Sequence, residues 1–204
     1  MTITPSQKSL RLSLLRAVTG GCMTIVQNFR LSLILLTAVS SALTAGIFFT
    51  FSTFVMQALG QQPPASAIAT MQSINITVIN PWFMGVFFGP AVLGIGVLAT
   101  TRQPWKHPDT RYCLVGTLLY TIGTLGVTIV GNIPLNNALA IVNPESAEGA
   151  TLWTRFLSDW TFWNHVRTVA AILAAVMFTL SLKLVSRFLP GLDSPLPALD
   201  RAES

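Results

Sequence analysis

Residues 31–59 read LSLILLTAVSSALTAGIFFTFSTFVMQAL, and none of them is charged. A helix needs about 20 apolar residues to cross the hydrocarbon core of a bilayer, so this stretch is long enough to span one. The charge-free tract continues beyond it. After Arg30 the next charged residue is Arg102, and between Arg111 and Glu145 there is again none. Over the whole chain 51% of residues are apolar and 9% charged. A soluble domain carries about 25% charged residues, and a chain this poor in charge has too few to cover its own surface. The chain therefore reads as an all-α polytopic membrane protein, a bundle of four transmembrane helices with short helical outer connections.

Further spans are expected over 81–100, 112–130 and 162–188. Between the first two, residues 65–79 form a helix too polar to cross. Asn80-Pro81 begins the second span, because asparagine suits the N-cap and proline the first turn, where no amide hydrogen is missed. Gly131-Asn132-Ile133-Pro134 is expected to break the third span, with a short helix over 134–140. Residues 150–161 run as helix into the fourth. Gly46, with Ser40, Ser41, Ala42 and Ala45, marks a face where another helix can approach. The chain thus divides into a basic N-terminal flank (1–30), a four-helix membrane domain (31–188) and a disordered tail (189–204).

The flanks set the orientation. Residues 1–30 carry Lys8, Arg11, Arg16 and Arg30 and no acid; residues 60–80 carry no charge. The second connection has Arg102, Lys106 and Arg111 against Asp109, and the third has Arg155 against Glu145, Glu148 and Asp159. Lys183 and Arg187 close the last span. Basic flanks alternate with neutral or acidic ones, as expected for both termini on the cytoplasmic side, here of a bacterial inner membrane. The basic N-terminal flank also resembles a transit peptide in composition, and a start at Met23 is a further alternative. The net charge of +5 follows from this arrangement and implies no nucleic-acid partner. The expected partner is the lipid bilayer. Cys22 and Cys113 are too few for a disulfide framework and fit no metal motif. Walker A, HExxH and CxxC patterns are absent.

The polar residues with chemical potential gather at the outer ends of the spans: Asn75, Asn80, Asn132, Asn136, Asn137, Asp159, Asn164, His165 and Arg167. The densest cluster is Trp160-Thr-Phe-Trp163-Asn164-His165-Val-Arg167. On a helix Trp160, Asn164 and Arg167 share a face, and His165 lies about 100° round from Asn164. Arg167 either snorkels to the interface or faces inward, paired with Asp159 or holding an anionic group. His165 is a hydrogen-bonding partner of a neighbouring helix, a proton-transfer group, or a metal or haem ligand. Trp153, Trp160 and Trp163 also suit an interfacial aromatic belt.

Five stretches carry a family resemblance. They are Gly46-Ile-Phe-Phe-Thr-Phe-Ser52, Met71-Gln-Ser-Ile-Asn75, Asn80-Pro-Trp-Phe83, Asn132-Ile-Pro-Leu-Asn136 and Trp160-Thr-Phe-Trp-Asn-His-Val-Arg167. Together they resemble the anthrone oxygenase-like membrane proteins, also described as a domain of unknown function, DUF1772. The resemblance implies a four-helix membrane domain. Some fungal members are associated with oxidising anthrones to anthraquinones.

The activity it suggests is a cofactor-independent oxygenase of a hydrophobic aromatic or polyketide-type small molecule. His165 would be the base. Arg167 and Asn164, with Asn136 as a further donor, would stabilise an oxyanion, and Asn75, Asn132, Asn136, Trp160 and Trp163 would bind substrate. No metal and no other cofactor is expected. A non-catalytic scaffold is the main alternative, and a small-molecule transporter the next.

Overall fold

A computed structural model describes residues 5–101 and 104–186, with side chains over 26–101 and 104–185. The expected tail, Arg102 and Arg187 lie outside the described residues. So do the side chains of Lys8, Arg11, Arg16 and Cys22. All regular structure among the described residues is helical. Helix α1 (Pro5–Thr50) passes through a π-wound turn (Phe51–Val55) into α2 (Met56–Gly60). Then follow α3 (Pro64–Thr77), α4 (Pro81–Ala99) and α5 (Pro108–Leu118). Two π-wound segments, Leu119–Gly126 and Thr128–Asn132, lead to α6 (Ile133–Ala140), and α7 (Ala147–Ser186) ends the set.

Four stretches are long and apolar enough to cross a membrane: Val26–Gly60, Pro81–Ala99, Pro108–Ala140 and Ala147–Val185. Only 28% to 39% of each one's apolar window is buried inside the protein. The outward surface is therefore itself apolar, with Leu36, Val39, Phe54, Val92, Ile122 and Val169 all exposed. Such a surface suits lipid and would be an aggregation liability in water. This is an integral membrane protein.

The expected break at Gly131–Pro134 does not occur. The third span runs on through α6. Proline lacks an amide hydrogen and its ring crowds the carbonyl four residues back. Here the preceding turns are π-wound, with wider hydrogen-bond spacing, and Pro134 falls in the first turn of α6. Asn80 behaves as expected, its Oδ1 accepting from the Phe83 amide at 3.0 Å.

Helices α1, α4, α5 and α7 pack around a core that includes Ile34, Val97, Tyr120, Ala174 and Phe178. Pro90 sits inside α4 and cannot donate to the Val86 carbonyl. The hydroxyl of Thr44 on α1 donates to that carbonyl at 3.2 Å. The Tyr120 hydroxyl donates to the Phe87 carbonyl at 2.7 Å, and its oxygen lies 3.1 Å from that of Thr44. Backbone groups freed by a proline cannot be left bare in lipid, so this knot ties three spans together at Pro90.

Close approach elsewhere is made by glycine. A Cβ on Gly123 would lie 2.6 Å from that of Ala170. Gly46, by contrast, meets no neighbour within 4 Å. It opens on the lipid-facing side, while Ser41 and Ala45 on the same helix are buried.

A second cluster closes one end of the bundle. Met56, Ile68, Met71 and Leu139 pack on Trp153, Phe156 and Trp160. The Gln72 amide of α3 donates to the Leu139 and Val142 carbonyls at 2.8 and 3.1 Å, fastening α3 to the end of α6. At the other end Arg30 pairs with buried Asp109 at 2.8 Å, which His107 also contacts. Cys113 is fully buried beside Ser181.

Candidate functional site

Beneath the cap formed by α3 and α6 lies a cavity of about 280 Å³. Its walls are mostly apolar, with aromatic rings from α1, α4 and α7 among them. Phe83 and Phe87, one turn apart on α4, stack at 5.7 Å with 14° between their planes. Phe48 meets Phe87 edge-on at 6.1 Å. Met71 and Ile74 descend from the cap, and Trp160 closes the side formed by α7. Four polar residues reach this space: Asn75, Thr128, Asn136 and Arg167.

Arg167 is only 7% exposed. Its guanidinium carbon lies 4.0 Å from the Phe48 ring centroid and 4.9 Å from that of Trp160. Cation–π contact of this kind partly offsets the loss of water. Its Nε donates to Asn164 Oδ1 at 2.9 Å, and Nη1 reaches the Thr128 hydroxyl at 3.4 Å. No carboxylate among the described residues pairs with it, and Nη2 makes no hydrogen bond. The expected pairing with Asp159 does not form. Asp159 lies more than two turns earlier on α7, exposed, and accepts from Ser158 at 3.0 Å.

Asn164 does not line the cavity. It is fully buried behind Arg167, and its amide nitrogen donates to the Phe48 carbonyl at 2.8 Å and the Ser52 hydroxyl at 2.7 Å. It therefore holds Arg167 in place and ties α7 to α1. Asn136 accepts from Trp160 Nε1 at 2.8 Å, which orients both side chains. Asn75 has a buried amide nitrogen without a partner. Asn132 is fully buried outside the cavity wall, donating to the Trp160 carbonyl at 3.2 Å.

Two expected site residues stand apart. His165 is exposed and lines no part of the cavity. One residue past Asn164, it is turned about 100° out of the site, so the base expected at this position has no geometric support. Trp163 lies under Gly131, where a Cβ would come within 2.6 Å of the indole, and packs edge-on to Phe162. It is a packing residue of the α7 surface.

Phe48, Phe87 and Thr128 were not anticipated. The Phe83 and Phe87 spacing is a readable signal of one helix face. Thr128 is a hydroxyl inside an apolar run and carries none.

An apolar, aromatic slot with a fixed cation and spare N–H donors is suited to a flat molecule bearing an oxyanion. Among the described residues no three His, Cys, Asp or Glu side chains converge to hold a metal ion.

Residues 82–177 match the family model for anthrone oxygenase. This stretch is an anthrone oxygenase-like domain. It begins in the first turn of α4 and ends inside α7, so it takes in Asn136, Trp160, Asn164 and Arg167. The remaining walls, Phe48 from α1 and Asn75 from α3, precede it in the chain. No curated protein and no solved structure matches the chain.

Proposed function

We propose that the protein is a membrane oxygenase of an aromatic, polyketide-type small molecule, and that the cavity under the cap is where it works. The observation that carries this reading is Arg167: a buried guanidinium with no carboxylate partner among the described residues, facing an apolar cavity within an anthrone oxygenase-like domain. An anthrone has an acidic methylene beside a carbonyl. Loss of one proton gives an enolate spread over the rings. That anion passes one electron to dioxygen, and the resulting radical and superoxide combine as a hydroperoxide. Loss of water leaves a second carbonyl, so one dioxygen becomes one quinone oxygen and one water.

Arg167 holds the negative oxygen, with Asn75 and Asn136 as further donors. Asn164 positions Arg167. Phe83, Phe87 and Trp160 bound the slot and exclude water. Both termini lie in the cytoplasm of a bacterial cell on this reading, supported by the basic flanks, and the cap faces outward.

The reading is tested with purified protein and a hydroxyanthrone in air. Oxygen uptake should match quinone formed, and Arg167→Met should slow turnover about 100-fold, the usual cost of losing an oxyanion donor. Saturable binding with no oxidation above the uncatalysed rate would end the oxygenase reading.

One observation favours a scaffold as the second reading. A groove of about 400 Å³ between α1 and α7, lined by Ala42, Gly46, Ala175 and Thr179, opens on the lipid-facing side. Small residues of this kind admit another helix. A scaffold would be disabled by Gly46→Leu and indifferent to Arg167→Met, the reverse of what the oxygenase reading expects.

A further inference from the structure

We infer that the ligand supplies its own acidity: the cavity takes a weakly acidic planar phenol or enol and captures it as the oxyanion, without a protein base. This rests on the cavity being the working site, as proposed above.

The argument begins with what the walls contain. Among the described lining residues there is no His, Asp, Glu, Lys, Cys or Tyr. The one ionisable group is Arg167, which stays protonated and cannot accept a proton. Side chains outside the cavity that could accept one face elsewhere. His165 and Asp159 are on the exposed side of α7. Tyr120 is engaged in the knot at Pro90. Deprotonation by a side chain in the cavity has no agent.

The same walls are rich in donors. Arg167 Nη2 and Asn75 Nδ2 have no protein partner. Asn136 spends its carbonyl oxygen on Trp160, and its amide nitrogen remains available. Three donors thus border one apolar space, beside the Asn75 amide oxygen and the Thr128 hydroxyl, which itself donates to the Thr124 carbonyl. Buried donors left unmet are costly, and a buried cation without a counter-ion more so. A ligand arriving as an oxyanion satisfies both. A neutral ether or hydrocarbon of the same shape satisfies neither.

The ligand leaves its proton in bulk water before entry, and the site acts by favouring the conjugate base. An acid beside a guanidinium loses about one to three units of pKa. A ligand in this cavity should show a shift of that size, and its binding should follow the ligand's own ionisation.

The test is an anaerobic absorbance titration of 1,8-dihydroxyanthrone, with protein in nanodiscs and with empty nanodiscs. The protein should move the ionisation midpoint down by at least one unit, a tenfold gain in the anion at fixed pH. Arg167→Met should abolish the shift. Asn75→Leu breaks no hydrogen bond of the fold, and should reduce the shift two- to threefold if the Arg167 variant proves unstable. His165→Ala should keep it. An unshifted midpoint on bound probe, or a shift that survives Arg167→Met or Asn75→Leu unchanged, or one lost in His165→Ala, would overturn the inference. Admission of air separates it from the oxygenase reading. A shifted probe that is never oxidised sinks the reaction alone, and oxidation without a shift sinks only the self-ionising ligand.

Discussion

The ring of Phe48 lies 4.0 Å beneath the guanidinium of Arg167, while the backbone carbonyl of the same Phe48 accepts from Asn164, the residue that holds that guanidinium. One position on α1 thus supports the cation twice, through its face and through its backbone. The charge is fixed in orientation before any ligand arrives. Fixed donors are the form in which electrostatic stabilisation is most effective, because nothing must reorganise during reaction.

Arg167→Met should separate stability from function. Replacing a buried charge by an apolar side chain of similar length is often neutral or stabilising. Asn164 loses one donor, at a cost of about 1 kcal/mol. Thermal unfolding in detergent should therefore stay within about 1–2 kcal/mol of the parent, while anion binding falls at least tenfold. A large loss of stability would make Arg167 a structural residue.

Asn164→Ala should behave in the opposite way. It removes bonds to Phe48, Ser52 and Arg167 and strands buried groups between α1 and α7. Unfolding should cost about 2–4 kcal/mol less than in the parent, at about 1–3 kcal/mol for each unmet group. A variant as stable as the parent would show that water enters and replaces the amide.

Arg30 and Asp109 form a buried pair at the far end of the bundle. Removing one partner leaves a buried charge, so Arg30→Met or Asp109→Leu alone should destabilise by about 3–5 kcal/mol. The double variant should recover part of that loss. A thermal-unfolding double-mutant cycle measures the coupling, and simple additivity would mean that His107 and solvent already compensate Asp109.

Gly123→Ala and Gly131→Ala test the close helix contacts. The added Cβ would meet Ala170 in the first case and the Trp163 ring in the second, each at 2.6 Å. Overpacking of this kind costs about 1–3 kcal/mol. Gly46→Ala, with nothing within 4 Å, should leave the unfolding temperature unchanged.

The four spans were legible because crossing a bilayer demands long apolar runs, and the cap at Asn80 because its chemistry is local. The continuation of the third span through Gly131–Pro134 was not legible, because the π-wound turns before Pro134 leave no mark in composition or spacing. Spacing alone put Trp160, Asn164 and Arg167 on one face. It also placed His165 off that face, about 100° round the helix from Asn164. The Arg30–Asp109 pair joins residues far apart in the chain, and only packing brings them together. Phe48 and Thr128 are ordinary span residues until α7 brings Arg167 beside them.

The most direct test of the central claim is equilibrium binding, without oxygen, to the nanodisc-embedded protein of 1,8-dihydroxyanthrone and of 1,8-dimethoxyanthraquinone, an ether of similar shape with neither a hydroxyl nor an acidic methylene. At a pH where the free hydroxyanthrone is partly ionised, the parent should bind it at least tenfold more tightly than the ether, and Arg167→Met should bind the two alike. Equal affinities in the parent, or a preference that persists in Arg167→Met, would contradict the account.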